Sequence, residues 1–426
     1  MFGVPALGKR ILLAMLLTVL SAAAAEKRPG VDVNMLDTLY DRLDALERTA
    51  ETPLMKRHLR SLQTIFQTEA LRQTARGETR QAARKADRLN QNVEKCLSWL
   101  PDNYSFEAVE QGNNRLIFTF VSGLDHTLQC YALRLPKGFD PDQTYPLIVM
   151  LHGMGPSDMP TFISWEFNQP FNRERPDQSP VFVLEPFGRG NLYYQGAGKT
   201  DVFEAIADVK KQFNVDEDRT YLTGASMGGG GTWTVAGRTP DFWAAIAPCC
   251  PAFMFLEAPW LADNLAGVPV RFWYGEKDKP KYGENSRLAH EALQAAVYTS
   301  EIHADPEAGH GVPAEEQAAI RAWLLQHTRS IPDTFSYTAS DIPFYPKTKN
   351  PNRRWGRNGV YVQQAGDGRE LPSFTCRRDG STLYLDTRNC SSLMVDLKKL
   401  SLPETAEIIL NGKPAAEKNG CTIIDP

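Results

Sequence analysis

The stretch Arg219 to Trp233 reads R-T-Y-L-T-G-A-S-M-G-G-G-G-T-W, and the fold is decided there. Tyr221 and Leu222 carry strand propensity, Gly224-Ala225-Ser226-Met227-Gly228 is a G-x-S-x-G, and the glycine run opens a helix. A serine hydroxyl is a poor nucleophile until it is lifted out of the backbone and given a base. A sharp strand-turn-helix elbow does the lifting, and it brings the chain on both sides so close that glycine is needed there. The new helix then directs its N–H groups and dipole toward a developing oxyanion, which makes the Met227 amide one expected donor.

Working outward, such a serine calls for an imidazole base and an acid to orient it. Asp278 lies in Tyr274-Gly275-Glu276-Lys277-Asp278, directly after an expected strand from Val268 to Tyr274. Glu276 and Asp305 are rival acids. His310 lies in Ala308-Gly309-His310-Gly311, after a strand ending near His303, and the flanking glycines suggest a backbone shaped to let its ring reach the site. His303 is the rival base, placed at a strand end. A second oxyanion donor is expected from His152-Gly153-Met154-Gly155, after the strand Pro146 to Leu151, at the Gly153 or Met154 amide. His303, Asp305, Glu307 and His310 share no strand or helix face, which argues against zinc, and no Walker or dinucleotide motif is present. No metal and no cofactor are expected.

Around this centre the pattern is strand, helix, strand. Expected strands are Val181–Leu184, Thr220–Thr223, Ala244–Ala247 and Tyr298–His303, and expected helices are Asp201–Phe213, Met227–Ala236, Glu284–Ala296 and Ala314–His327. Alternation over this length means an α/β fold with a doubly wound, mostly parallel sheet, whose ligands bind beyond the carboxyl ends of the strands. Trp165, Tyr193, Tyr194, Phe253, Phe255 and Trp260 fall in loops expected to overhang those ends.

The flanks differ. Residues 1–25 have a basic Lys9-Arg10, an apolar Ile11 to Leu20 and small residues through Ala25, the pattern of a cleavable export signal. Residues 26–110 carry helical stripes: Leu36, Leu39, Leu43, Leu46, then Met55, Leu59, Leu62, Phe66, then Ala82, Ala86, Leu89, Val93, Leu97. The catalytic domain is expected over 111–330 and a proline-containing linker over 331–358. A small β-rich domain is expected over 359–426, with hairpin turns at Asp379-Gly380 and Asn411-Gly412. Export makes disulfides plausible among the seven cysteines, and one bridge is expected within Cys376, Cys390 and Cys421. A net charge of −4 gives no sign of nucleic acid, and nothing after the leader is apolar enough to span a bilayer.

H-G-M-G, G-R-G-N-L-Y-Y-Q-G-A-G-K-T-D-V, the serine stretch, P-D-F-W-A-A-I-A-P, Y-G-E-K-D and G-H-G together resemble the α/β-hydrolase superfamily. The nearest branch is that of exported bacterial esterases related to polyhydroxybutyrate depolymerases, feruloyl esterases and acyl-protein thioesterases, with prolyl oligopeptidase-like domains close by. The resemblance spans roughly Phe118 to His327 and implies that Ser226, Asp278 and His310 are catalytic. It also implies a carboxylic ester substrate, with an extracellular polymer as the expected bearer of the ester, without naming the acyl group. Two other readings stand beside it: a serine peptidase with the same triad, and a non-catalytic hydrolase-like scaffold that binds polysaccharide. The N-terminal helices cannot make the β-propeller of true prolyl oligopeptidases, which weighs against the peptidase.

Overall fold

The computed structural model describes residues 30–74, 80–100, 115–155, 180–252, 258–296, 298–339, 355–365, 370–415 and 421–424. The export signal expected over residues 1–25 lies outside them. Among the described residues, no helix is long and apolar enough to cross a membrane.

The chain divides into two compact units. The first holds helices α1 (Val33–Thr49), α2 (Pro53–Thr74) and α3 (Arg80–Trp99), with the antiparallel pair β1 (Arg115–Val121) and β2 (Leu128–Arg134). Asp32 caps α1 by accepting the Met35 N–H at 3.0 Å, which satisfies a donor that the first turn would otherwise leave open. The expected stripes are the buried faces: Leu36, Leu39, Leu43 and Leu46 on α1, and Met55, Leu59, Leu62 and Phe66 on α2. On α3 the buried apolar positions are Ala86, Leu89, Val93 and Cys96, with Asn92 buried beside them, so the stripe closes on Cys96 rather than Leu97. The strand pair, placed above in the catalytic domain, groups with the helices because α2 is bonded along β1. Arg57 Nη2 donates to the Thr119 carbonyl at 3.1 Å, and the Ile117 N–H donates to His58 Nδ1 at 2.8 Å.

The second unit contains the parallel strands β3 (Tyr145–Leu151), β4 (Phe182–Pro186), β5 (Val215–Ala225), β6 (Ala245–Cys249), β7 (Val270–Gly275) and β8 (Ser300–Asp305). They lie in the order β4-β3-β5-β6-β7-β8. Every residue of β4 and β6 is buried, as expected for parallel strands covered on both faces. Helices α4 (Ala197–Lys210), α5 (Met227–Arg238), α6 (Ala258–Asp263), α7 (Pro280–Ala295) and α8 (Ala314–Leu324) follow successive strands, and all of α5 is buried. The predicted elements are of the right type, with bounds that move by a few residues at most for all but β5, which starts five residues early; the exception is α6, since Trp260, expected in a loop, lies in a helix.

The same unit carries the β-rich tail. β10 (Trp355–Arg357), β11 (Val360–Ala365), β14 (Cys390–Asp396) and β17 (Cys421–Ile424) form one sheet. β9 (Thr334–Thr338), β12 (Ser373–Asp379), β13 (Thr382–Arg388), β15 (Glu407–Leu410) and β16 (Lys413–Pro414) form the other. Both contribute to one apolar core of Phe335, Val362, Phe374, Leu383, Leu393 and Val395 among others. Asn411 and Gly412 both take positive φ, the expected tight turn, whereas the first hairpin turns on Gly380-Ser381, with Asp379 still paired to Thr382.

Two expectations are corrected here. The segment 331–358 is not simply a linker: residues 334–338 pair with β12, and 355–357 pair with β11, while 340–354 lie outside the described residues. Cys376 and Cys390 are both free thiols; they sit in different sheets, the first buried within the tail core. The tail is fixed to the α/β sheet by Asn264, whose Oδ1 accepts the Thr338 N–H at 2.7 Å, and by buried Arg357, which donates to the carbonyls of Asn264 and Ala266.

His58 sets an acid limit on the first unit. Burial pushes its pKa down from 6.5 to about 4, because a charged ring there is cut off from water, and a backbone hydrogen bond with Ile117 offsets only part of this. A lowered histidine pKa contributes stability that is complete above pH 6.5 and is lost as pH falls through about 4. The expected loss is roughly 3 kcal/mol. Thermal unfolding followed by the helical signal should fall between these pH values in the wild type and fall less in His58→Gln; equal acid limbs would contradict the assignment.

Candidate active site

Ser226 stands between β5 and α5 with φ 60° and ψ −118°, a left-handed conformation that an L-residue holds only under constraint. Its cost is of order 1–3 kcal/mol, comparable with the burial of one large apolar side chain such as Trp233 or Met227 on α5. The constraint is visible in the hydrogen bonds. The Ser226 N–H donates to the Cys249 carbonyl at 3.0 Å, and its own carbonyl accepts from Gly230 at 3.0 Å and Ala252 at 2.9 Å. A Cβ on Gly228 would collide with the Leu151 carbonyl oxygen, so the first turn of α5 lies directly on the end of β3.

This close approach brings the His152–Gly155 loop to the serine. A Cβ on Gly153 would stand 3.7 Å from Ser226 Cβ. Met154 is exposed. Among the described residues, the Gly153 and Met154 N–H groups have no acceptor, and Met227, first in its helix, has none within the helix. His152 is turned away from the serine's role: its ring lies 2.9 Å from the Phe187 carbonyl through Nε2 and 2.7 Å from the Gly153 carbonyl through Nδ1.

Asp278 and His310 meet. His310 Nδ1 lies 2.6 Å from Asp278 Oδ2, and Asp278 Oδ1 accepts the Lys279 N–H at 2.7 Å. The carboxylate accepts only, so Nδ1 carries the proton in this bond. Asp278 is 5% exposed at its side chain and His310 44%, an acid shielded behind a base that faces solvent. Tyr282 packs on the imidazole with ring centroids 4.4 Å apart. The two loops are joined by backbone bonds, Glu276 N–H to the Asp305 carbonyl at 2.8 Å and Lys277 N–H to the Ala308 carbonyl at 3.0 Å.

The rivals are occupied elsewhere. Asp305 Oδ1 accepts the N–H groups of Glu307 and Ala308 and shapes the turn that presents His310. Glu276 is exposed, and His303 lies within β8 rather than in the loop after it. Glu307 pairs with Lys277, whereas His310 is bonded to Asp278. The glycines beside His310 are not required by space: a Cβ at Gly309 or Gly311 would meet nothing within 4 Å. Gly275 is the constrained one, because a Cβ there would collide with the Ala308 and Gly309 carbonyls.

Cys250 was read only for disulfide pairing, and its position beside the elbow is what the sequence reading missed. Its N–H donates to the Trp273 carbonyl at 2.7 Å and its Sγ to the His310 carbonyl at 3.6 Å. It therefore joins the strand ends of β6 and β7 to the histidine loop. Sγ and the donor atoms of Asp278 and His310 lie within 4.8 Å of one another. Burial pushes the thiol up to about 12, which opposes the thiolate that metal binding needs. The signal available in sequence was a residue just past a strand end, next to the serine strand.

Of the aromatic residues expected over the strand ends, Tyr193 is exposed and Tyr194 is buried under Gly188 and Gly231. Trp165, Phe253 and Phe255 lie outside the described residues, as does the side chain of Trp260.

Residues 188–338 match the Dienelactone hydrolase family. Over 133 residues the chain is 31% identical to a bifunctional acetylxylan esterase/xylanase of Neocallimastix patriciarum, a stretch that is 30% of this chain and 18% of that relative. Among solved structures, a thermostable esterase aligns with a TM-score of 0.40 at 26% identity, over 51% of this chain and 64% of its own. A ferulic acid esterase of the anaerobic fungus Anaeromyces mucronatus aligns with a TM-score of 0.39 at 17% identity, over 50% of this chain and 90% of its own. The sheet, its helices and this family match define an α/β-hydrolase domain.

The glycine contacts yield a contrast. Gly228→Ala should lose about 1–3 kcal/mol, since a methyl group must displace the end of β3. Gly311→Ala should shift stability by less than about 0.5 kcal/mol. Urea unfolding of both variants checks this, and equal midpoints would show that the elbow is not closely packed.

Proposed function

We propose that this protein is an exported serine hydrolase that cleaves carboxylic esters through an acyl-enzyme. The observation that carries the reading is the 2.6 Å contact between His310 and Asp278, on loops tied to the strained Ser226 elbow through Cys250. In this reaction His310 Nε2 takes the Ser226 Oγ proton as Oγ attacks the acyl carbon, and Asp278 steadies the imidazolium. The carbonyl π pair moves onto oxygen, where the N–H of Met227 and that of Gly153 or Met154 bind it. The tetrahedral intermediate collapses by expelling the alkoxide, which His310 protonates. Water, deprotonated by the same ring, then attacks the acyl-serine, and the acid leaves as Ser226 recovers its proton.

Ester rather than amide chemistry is supported by the family match and by the acetylxylan esterase relative. The substrate class that follows is a short acyl ester on an extracellular polymer, with the basic-apolar-small leader of residues 1–25 supporting export. The tail's bonds to Asn264 favour a bracing role for it over carbohydrate binding.

Hydrolysis of p-nitrophenyl acetate, acetylated xylan, a feruloyl ester and a peptide amide panel tests this. The expected outcome is turnover of esters and none of amides, with Ser226→Ala lowering kcat by about 10⁴ or more. Peptide cleavage without ester cleavage, or an active Ser226→Ala, would overturn it.

A further inference from the structure

The segment Phe187–Gly196 joins β4 to α4 and takes no part in the steps above, yet it is the most constrained backbone of the α/β domain. Six of its residues have positive φ: Gly188, Arg189, Gly190, Tyr193, Tyr194 and Gly196. Three of these are not glycine, and such conformations persist only where surrounding contacts over-determine them. Arg189 Nε holds one end through Asp201 Oδ1 at 3.0 Å, with Asp201 buried at the start of α4. The Tyr194 ring is wedged beneath α5, where a Cβ on Gly231 would strike it.

What this segment grips is the loop beside the serine. Asn191 Nδ2 donates to the Gly155 carbonyl at 2.7 Å, and its Oδ1 accepts the Gly155 N–H at 3.1 Å. One side chain thus satisfies both backbone groups of one residue, as a neighbouring strand would. At the other end of the loop, Tyr194 Oη donates to the His152 carbonyl at 3.1 Å, and the His152 ring lies 2.9 Å from the Phe187 carbonyl. Residues 152 and 155 are each tethered, and between them stand Gly153 and Met154, whose N–H groups have no acceptor among the described residues.

We infer that Asn191 is a positioning residue for ester hydrolysis, fixing the Gly153–Met154 amides at the place where the oxyanion forms. This rests on the serine hydrolase reading. The physical reason is that an oxyanion donor works only when it is already aimed at the charge that develops in the transition state. Tyr194 packs under the helix that begins at Met227 and bonds the loop that holds Gly153, so both donors share one support. Asn191 completes that support from the far side. Its loss leaves ground-state binding intact and misplaces a group used only in the transition state.

The test compares wild type, Asn191→Ala, Asn191→Asp and Ser226→Ala on p-nitrophenyl acetate, with the rate of fluorophosphonate labelling as a second readout. Asn191→Asp is nearly isosteric and keeps the acceptor for the Gly155 N–H, but sets a carboxylate oxygen against the Gly155 carbonyl; it carries the comparison if the alanine variant does not fold. Expected is a fall in kcat of about 10- to 100-fold in either folded variant, measured well below its melting temperature, with KM within about threefold. Affinity for a boronic acid, which mimics the tetrahedral adduct, should fall with kcat. Wild-type kcat and labelling rate in both variants, while Ser226→Ala is inactive, would overturn this inference alone; so would a loss confined to the melting temperature. An active Ser226→Ala, or a wild type that neither cuts nor labels, would instead remove the serine reading and this inference with it.

Discussion

One turn governs the α/β domain: the left-handed Ser226 between β5 and α5. An L-residue stays there only if the chain on both sides has nowhere else to go. The glycines supply that condition by letting backbone meet backbone, with Gly228 on the end of β3 and the Ser226 carbonyl shared by Gly230 and Ala252. The energy that holds the turn comes from the fully buried α5 and from the covered parallel strands on either side. In the proposed reaction, function and folding therefore draw on the same contacts.

From that turn the other groups are placed by short backbone links rather than by long side chains. Ser226 and Cys250 are bound to the ends of β6 and β7, the Gly275–Asp278 loop is bound to the Asp305–Ala308 turn, and the Cys250 thiol reaches the His310 carbonyl. Asp278 is shielded where it meets His310, so its bond to the ring is not shared with bulk water. The imidazole itself is 44% exposed.

Much of this was legible in the sequence because it rests on local rules. The G-x-S-x-G, the apolar strands and the helix stripes each reflect a period or a turn that neighbouring residues determine. The order of Ser226, Asp278 and His310 follows from strands arriving one after another. What escaped was non-local. Asn191 stands inside the quoted G-R-G-N-L-Y-Y-Q-G stretch and Cys250 just past a strand end, but nothing local marks what they touch, because 36 and 60 residues separate them from the Gly155 and His310 groups. Residues 334–338 read as linker because their partner strand begins only at Ser373. The glycines beside His310 misled in the other direction, suggesting a steric need where the structure has open space.

The proposed reaction requires that His310 activate Ser226. Peptide mass spectrometry after fluorophosphonate treatment tests it directly, because the reagent marks an activated hydroxyl whatever the natural substrate. The predicted result is a single adduct on the peptide containing Ser226, formed at least about 10³-fold more slowly in His310→Ala. An adduct on another residue, or equal labelling without the imidazole, would contradict it.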